Sequence, residues 1–158
     1  MRYLPALIAI VGVVAAACGG AATTGGRAAS DQGRRIDLEM KTGFVYSAKE
    51  LGLRAGEKVT LALRNSDAVE HEFMAGRDAE IGRGFKHDLF DGVDHEIVPT
   101  PASDHGMGHG AEKVGVRVQP GRTATLTFVV PAEPGTYEFA CFVAGHFEAG
   151  MKGTLTIQ

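Results

Sequence analysis

Apolar and polar residues alternate with a period of two in short runs along most of this chain. Ile36, Leu38 and Met40 alternate with polar neighbours, and Phe44 and Tyr46 continue the pattern past Gly43. Val59, Leu61 and Leu63 repeat it, as do Val114, Val116 and Val118, and then Ala124, Leu126 and Phe128. His71 and Phe73 share a face of the short segment EHEFMA. Tyr137, Phe139 and Cys141 share another, and Leu155 and Ile157 close the chain. A period of two places every second side chain on the same side of an extended backbone, so each run predicts a half-buried strand. Ala55-Gly56, Pro120-Gly121 and Pro131 to Gly135 punctuate the runs as turns. No stretch sustains a 3.6-residue period. Short strands separated by turns predict an all-β fold, a β-sandwich.

Two regions depart from this pattern. Leu4 to Ala17 is apolar or small throughout and follows Arg2. It is too short to span a bilayer as a helix and has the form of an export signal. It ends Ala15-Ala16-Ala17-Cys18, which resembles a bacterial lipobox. That resemblance implies a signal peptide over 1–17, cleavage before Cys18, a lipid on Cys18 and an extracytoplasmic location at the cell membrane. Residues 18–34 are mostly Gly, Ala, Ser and Thr and read as a flexible tether. The second region is 78–112, expected as a long loop with little periodicity. It carries Asp78, Glu80, Asp88, Asp91, Asp94, Glu96, Asp104 and Glu112, together with His87, His95, His105 and His109. Its acids read as a solvated face that could steer a basic partner, and His87 and His95 as surface groups. The cluster His105, Met107 and His109 reads first as a solvated, glycine-rich loop, with a labile metal site as the alternative.

Composition narrows the function. The 158 residues carry a formal charge of −3, which argues against a nucleic-acid binder. Two cysteines exclude a disulfide-dense scaffold and a four-thiolate metal site. With Cys18 lipidated, Cys141 remains as a lone thiol in an oxidising compartment, where it must be buried, reactive or metal-bound.

Cys141, His146 and Met151 stand as C-x4-H-x4-M between two strand runs. Alone, Cys141 reads as a core thiol and Met151 as core filler; together with His146 they form a soft ligand set. One more imidazole completes a His2Cys set with a weak axial thioether, which suits copper cycling between two oxidation states. His71, on a distant strand and anchored by Phe73, is the candidate. Four protein donors leave no open position for substrate, so the set reads as an electron carrier rather than an enzyme.

On AGEKVTLALRNSD before EHEF, on PGTYEFAC and on GHFEAGMKGTLTI, residues 35–158 resemble the cupredoxins, the blue copper proteins of the plastocyanin/azurin kind. The ligand-loop spacing is similar to that of auracyanin and rusticyanin. The resemblance implies a Greek-key β-sandwich, here with 78–112 as an insertion loop. It also implies one type 1 copper ion and one-electron transfer; with the lipobox-like segment, the chain reads as a membrane-tethered monomer. His71, Cys141 and His146 would be the strong ligands and Met151 the axial one. Redox partners would dock near Ala144 and Phe147, at the apolar surface around the loop histidine. A copper storage, delivery or resistance protein is the alternative. Two positions depart from the family pattern: Glu72 stands where Asn is common, and Phe142 where Ser or Thr follows the cysteine. The hydrogen bond that usually links those two side chains cannot form here.

Overall fold

The computed structural model describes residues 33–99 and 113–158. The expected signal peptide over 1–17, Cys18, most of the expected tether, and His105, Met107 and His109 lie outside the described residues. Among those described there are eleven strands and no helix. They are β1 Arg34–Lys41, β2 Val45–Tyr46, β3 Glu50–Leu53, β4 Lys58–Asn65, β5 His71–Glu80, β6 Gly84–Asp88, β7 His95–Val98, β8 Val116–Val118, β9 Thr123–Val129, β10 Gly135–Ala140 and β11 Lys152–Ile157. One sheet has the order β2-β1-β4-β9-β7 and the other β3-β11-β10-β5-β6, with β8 pairing the start of β5. Sheet neighbours are mostly non-consecutive, because the chain crosses repeatedly between sheets in the Greek-key manner. β1 and β4 run parallel, as do β3 and β11; the other pairs are antiparallel.

The alternation read from the sequence is the alternation of burial. Leu38 and Met40 of β1, Val59, Leu61 and Leu63 of β4, and Leu126 and Phe128 of β9 are buried on the inner face of one sheet. Phe73 and Ala75 of β5, Phe139 of β10, and Leu155 and Ile157 of β11 meet them from the other. A smaller cluster of Met74, Phe85 and Ala140, with Phe142 and Phe147 packed on it, forms a separate apolar patch apart from this core.

Of the long loop expected over 78–112, the described part, 78–99, holds strand as well as loop. β5 runs on to Glu80, returns as β6 with Gly76 opposite Asp88 and Glu80 opposite Gly84, and β7 adds an edge strand to β9. Phe85, Leu89 and Phe90 from this stretch are buried. β6 and β7 are sheet edges exposing Lys86, His87, His95 and Glu96 to water. Edge strands take charge to avoid further pairing, and neither GFKHD nor HEIV alternates apolar with polar residues. β3, with Leu51 and Leu53 buried, was likewise missing from the strands expected.

Candidate metal centre

β10 lies antiparallel to β5 with Ala140 opposite Met74. This register brings Cys141, the residue after β10, beside the first residues of β5. His71 opens β5, and the loop from Cys141 to β11 carries His146 and Met151. Backbone hydrogen bonds lace this loop: Cys141 N–H donates to the Met151 carbonyl (3.1 Å), Met151 N–H to His146 (2.9 Å) and His146 N–H to Val143 (2.9 Å). Gly145 and Gly150 turn the chain at φ of 85° and 92°, a region open to glycine and strained for other residues.

The result is convergence. One donor atom from each of His71, Cys141 and His146 lies within 4.8 Å of the other two, and all three residues are buried. His71 Nδ1 is 3.2 Å from His146 Nδ1, and Cys141 Sγ is 3.4 Å from that same atom. Met151 is fully buried in the same loop. Two imidazoles, a thiol and a thioether held this way fit a copper ion in both oxidation states. The structure brings His71, Cys141 and His146 together and buries Met151 in the loop that carries the last two. His87 and His95 are exposed; His87 faces Asp78 at 3.5 Å and has no part in the centre.

Cys141, His146 and His71 each have a supporting contact. Glu72 N–H donates to Cys141 Sγ (3.2 Å). Burial pushes the Cys141 thiol up to about 11, against the Glu72 N–H that favours the thiolate. Burial, then the neighbouring His71, holds His146 below its usual value. Phe44 lies nearly parallel to His146, ring centroids 4.2 Å apart, from a residue at φ 56°. His71 Nε2 faces Asp67 Oδ2 at 3.1 Å. The Asp67 carboxyl is held below its usual range, first by the Ala68 N–H, with His71 and Thr42 adding to it against burial. Phe44 and Asp67 went unnoticed in the sequence as parts of the centre. Asp67 had a signal: Asn65-Ser66-Asp67 after a strand is a side-chain-capped turn four residues before the histidine.

The two departures from the family pattern are resolved differently on the two sides of β5 and β10. The Glu72 carboxylate pairs with Arg117 of β8, Arg117 Nε to Glu72 Oε1 at 3.2 Å. The Glu72 carbonyl accepts the buried Tyr46 hydroxyl at 2.5 Å. Phe142 stacks on Phe147 (5.1 Å, 12°) and meets Phe85 edge-on. An ion pair and an aromatic stack stand in place of a side-chain hydrogen bond.

A Greek-key sandwich with His71 opening one strand and Cys141, His146 and Met151 on the loop beside it defines a copper protein of the cupredoxin class. The model of the copper-binding plastocyanin/azurin family matches residues 35–158, and the chain belongs to that family. It is 30% identical to the copper-resistant cuproprotein CopI of Pseudomonas aeruginosa, covering 99% of this chain and 97% of that one. It is 28% identical to auracyanin-A of Chloroflexus aurantiacus, covering 97% and 94%. Among solved structures, the reduced auracyanin of Roseiflexus castenholzii superposes with a TM-score of 0.58 at 24% identity, covering 78% of this chain and 96% of that one. That likeness shows the fold.

Proposed function

We propose that this chain is a membrane-tethered type 1 copper protein that carries single electrons. His71, Cys141 and His146 are the strong ligands, Met151 is the weak axial ligand, and Cys18 is the lipidated anchor. The observation that carries the reading is the convergence of three buried donors already placed by β5, the end of β10 and the loop. Copper, when bound, supplies a one-electron couple. The chain's part is to hold that couple in a fixed geometry, so that little moves when the electron does. Cys141 gives up its proton on binding, and its sulfur keeps the Glu72 N–H. His146 arrives neutral, with Phe44 against its ring. Four protein donors leave no place for a substrate, so the protein is read as a carrier and not an enzyme.

The electron leaves through the edge of His146. Ala144 is exposed beside it and Phe147 is half-buried, with Lys152 Nζ 4.5 Å over the Phe147 ring. A small apolar surface of this kind suits a transient encounter. Ala144→Glu should slow electron exchange even at high salt, where screening removes long-range steering, with spectrum and potential unchanged. An unchanged rate would place the exit elsewhere.

A second reading, copper storage, delivery or resistance, is favoured by the similarity to CopI along almost the whole chain. It would use His105, Met107 and His109 as an additional labile site. The two readings separate on stoichiometry and release. One copper per chain, reversible one-electron reduction and slow loss to a chelator support the carrier. More than one copper per chain, with ready release, supports handling.

A further inference from the structure

Asp67 belongs to the turn joining β4 to β5, and its position is built rather than incidental. The fully buried Asn65 donates through Nδ2 to the carbonyls of Val69 (2.7 Å) and Val118 (2.8 Å) and accepts the Asp67 N–H on Oδ1 (2.9 Å). Asp67 Oδ1 in turn accepts the Ala68 N–H (2.7 Å) and the Thr42 hydroxyl (3.2 Å). That leaves Oδ2 for His71 Nε2 at 3.1 Å, with the Asp67 side chain 10% exposed and that of His71 wholly buried. An oxygen with no proton of its own, facing a ring nitrogen at that distance, places the imidazole proton on Nε2. The lone pair then lies on Nδ1, the atom 3.2 Å from His146 Nδ1.

We propose that Asp67 is a positioning residue for the copper centre. It fixes His71 in the tautomer that offers Nδ1 to the metal, and it sets a negative charge behind that ligand which favours Cu(II) over Cu(I). A carboxylate behind a ligating histidine orients the ring and raises its basicity. The divalent ion gains more from a fixed negative charge than the monovalent one. The role rests on the copper site and is the same for an electron carrier and for a copper-handling protein.

Two measurements test it. Nitrogen-15 chemical shifts of His71 in the metal-free parent protein should report the Nε2–H tautomer, and an Nδ1–H tautomer overturns the proposal. Asp67→Asn keeps an oxygen acceptor but removes the charge. It should load one copper with the parental colour and lower the ratio of Cu(II) to Cu(I) affinity about tenfold, which for a one-electron couple raises the potential by about 59 mV. Asp67→Ala should raise the potential as well and mix the His71 tautomers in the metal-free state. A role confined to turn stability would cost melting temperature and leave the potential where it was. A coloured Asp67→Asn protein with the parental potential overturns this proposal alone; a parent chain that takes up no copper overturns it together with the copper site.

Discussion

Arg117→Met should destabilise the metal-free protein more than any exposed charge deletion, because it strands a carboxylate beside the copper-site cysteine. Glu72 is nearly enclosed, with its side chain 10% exposed, and Arg117 holds it at 3.2 Å. Breaking a wholly buried pair by removing one partner costs about 3–5 kcal/mol, whereas exposed pairs are worth about 1 kcal/mol or less. Arg117 is 33% exposed and also lies 3.5 Å from Glu70, so water reaches the cationic side and the cost falls between these limits, about 2 kcal/mol. For a domain of this size that is a fall in Tm of about 8 °C. Urea or thermal unfolding of the parent, Arg117→Met, Glu72→Gln and the double variant forms a cycle. The double variant should recover most of the loss, since no buried charge is left unpaired. The copper-loaded Arg117→Met protein should also have a lower potential, because an uncompensated negative charge near Cys141 favours Cu(II). If Arg117→Met and the double variant are equally unstable, the pair is not coupled and the reasoning fails.

Copper uptake should release protons in a pattern set by the two shifted ligands. The Cys141 thiol at about 11 is protonated at neutral pH and must lose its proton, while His146, shifted down, has none to lose. Apparent affinity should therefore rise about tenfold per pH unit from 7 to 9; calorimetry in buffers of different ionisation enthalpy checks this, and zero proton release contradicts it. In the metal-free protein the raised thiol value stabilises the fold fully below the unfolded thiol's pKa of about 8.5. That contribution is lost as the pH climbs from there towards 11, a slope that Cys141→Ala should remove from unfolding curves. Met151→Leu should keep the colour and raise the potential, and Met151→Gln should lower it; voltammetry giving the reverse order would remove Met151 as axial ligand. Phe44→Ala should speed copper loss to a chelator, since it uncovers the ring of His146; an unchanged rate would leave the stack as packing alone.

Strands β1, β4, β9 and β11 were legible because they bury one face more deeply than the other, so Leu38, Leu61, Phe128 and Leu155 mark their register directly. The edges were not. β6 and β7 present charged residues to water, and their pairing depends on partners far away in sequence. The donors were legible for a different reason: Cys141, His146 and Met151 fall within one loop, whose spacing is visible without a fold. The residues that support them were hidden, because their roles arise across the sandwich. Phe44 reaches His146 from the β1–β2 turn, Arg117 reaches Glu72 from β8, and Asp67 meets His71 only because Asn65 closes the turn between them. Single-sequence patterns carry the chemistry of a ligand but not the identity of what stands behind it.

The most direct measurement is the visible spectrum of the full chain titrated with Cu(II), beside that of Cys141→Ser. A thiolate bound to Cu(II) in a His2Cys site absorbs intensely in the visible. The parent should therefore become deeply coloured, saturate at one copper per chain and bleach reversibly on one-electron reduction, while Cys141→Ser stays pale. A parent that binds copper without that colour, or a Cys141→Ser protein as intensely coloured as the parent, would contradict the type 1 centre.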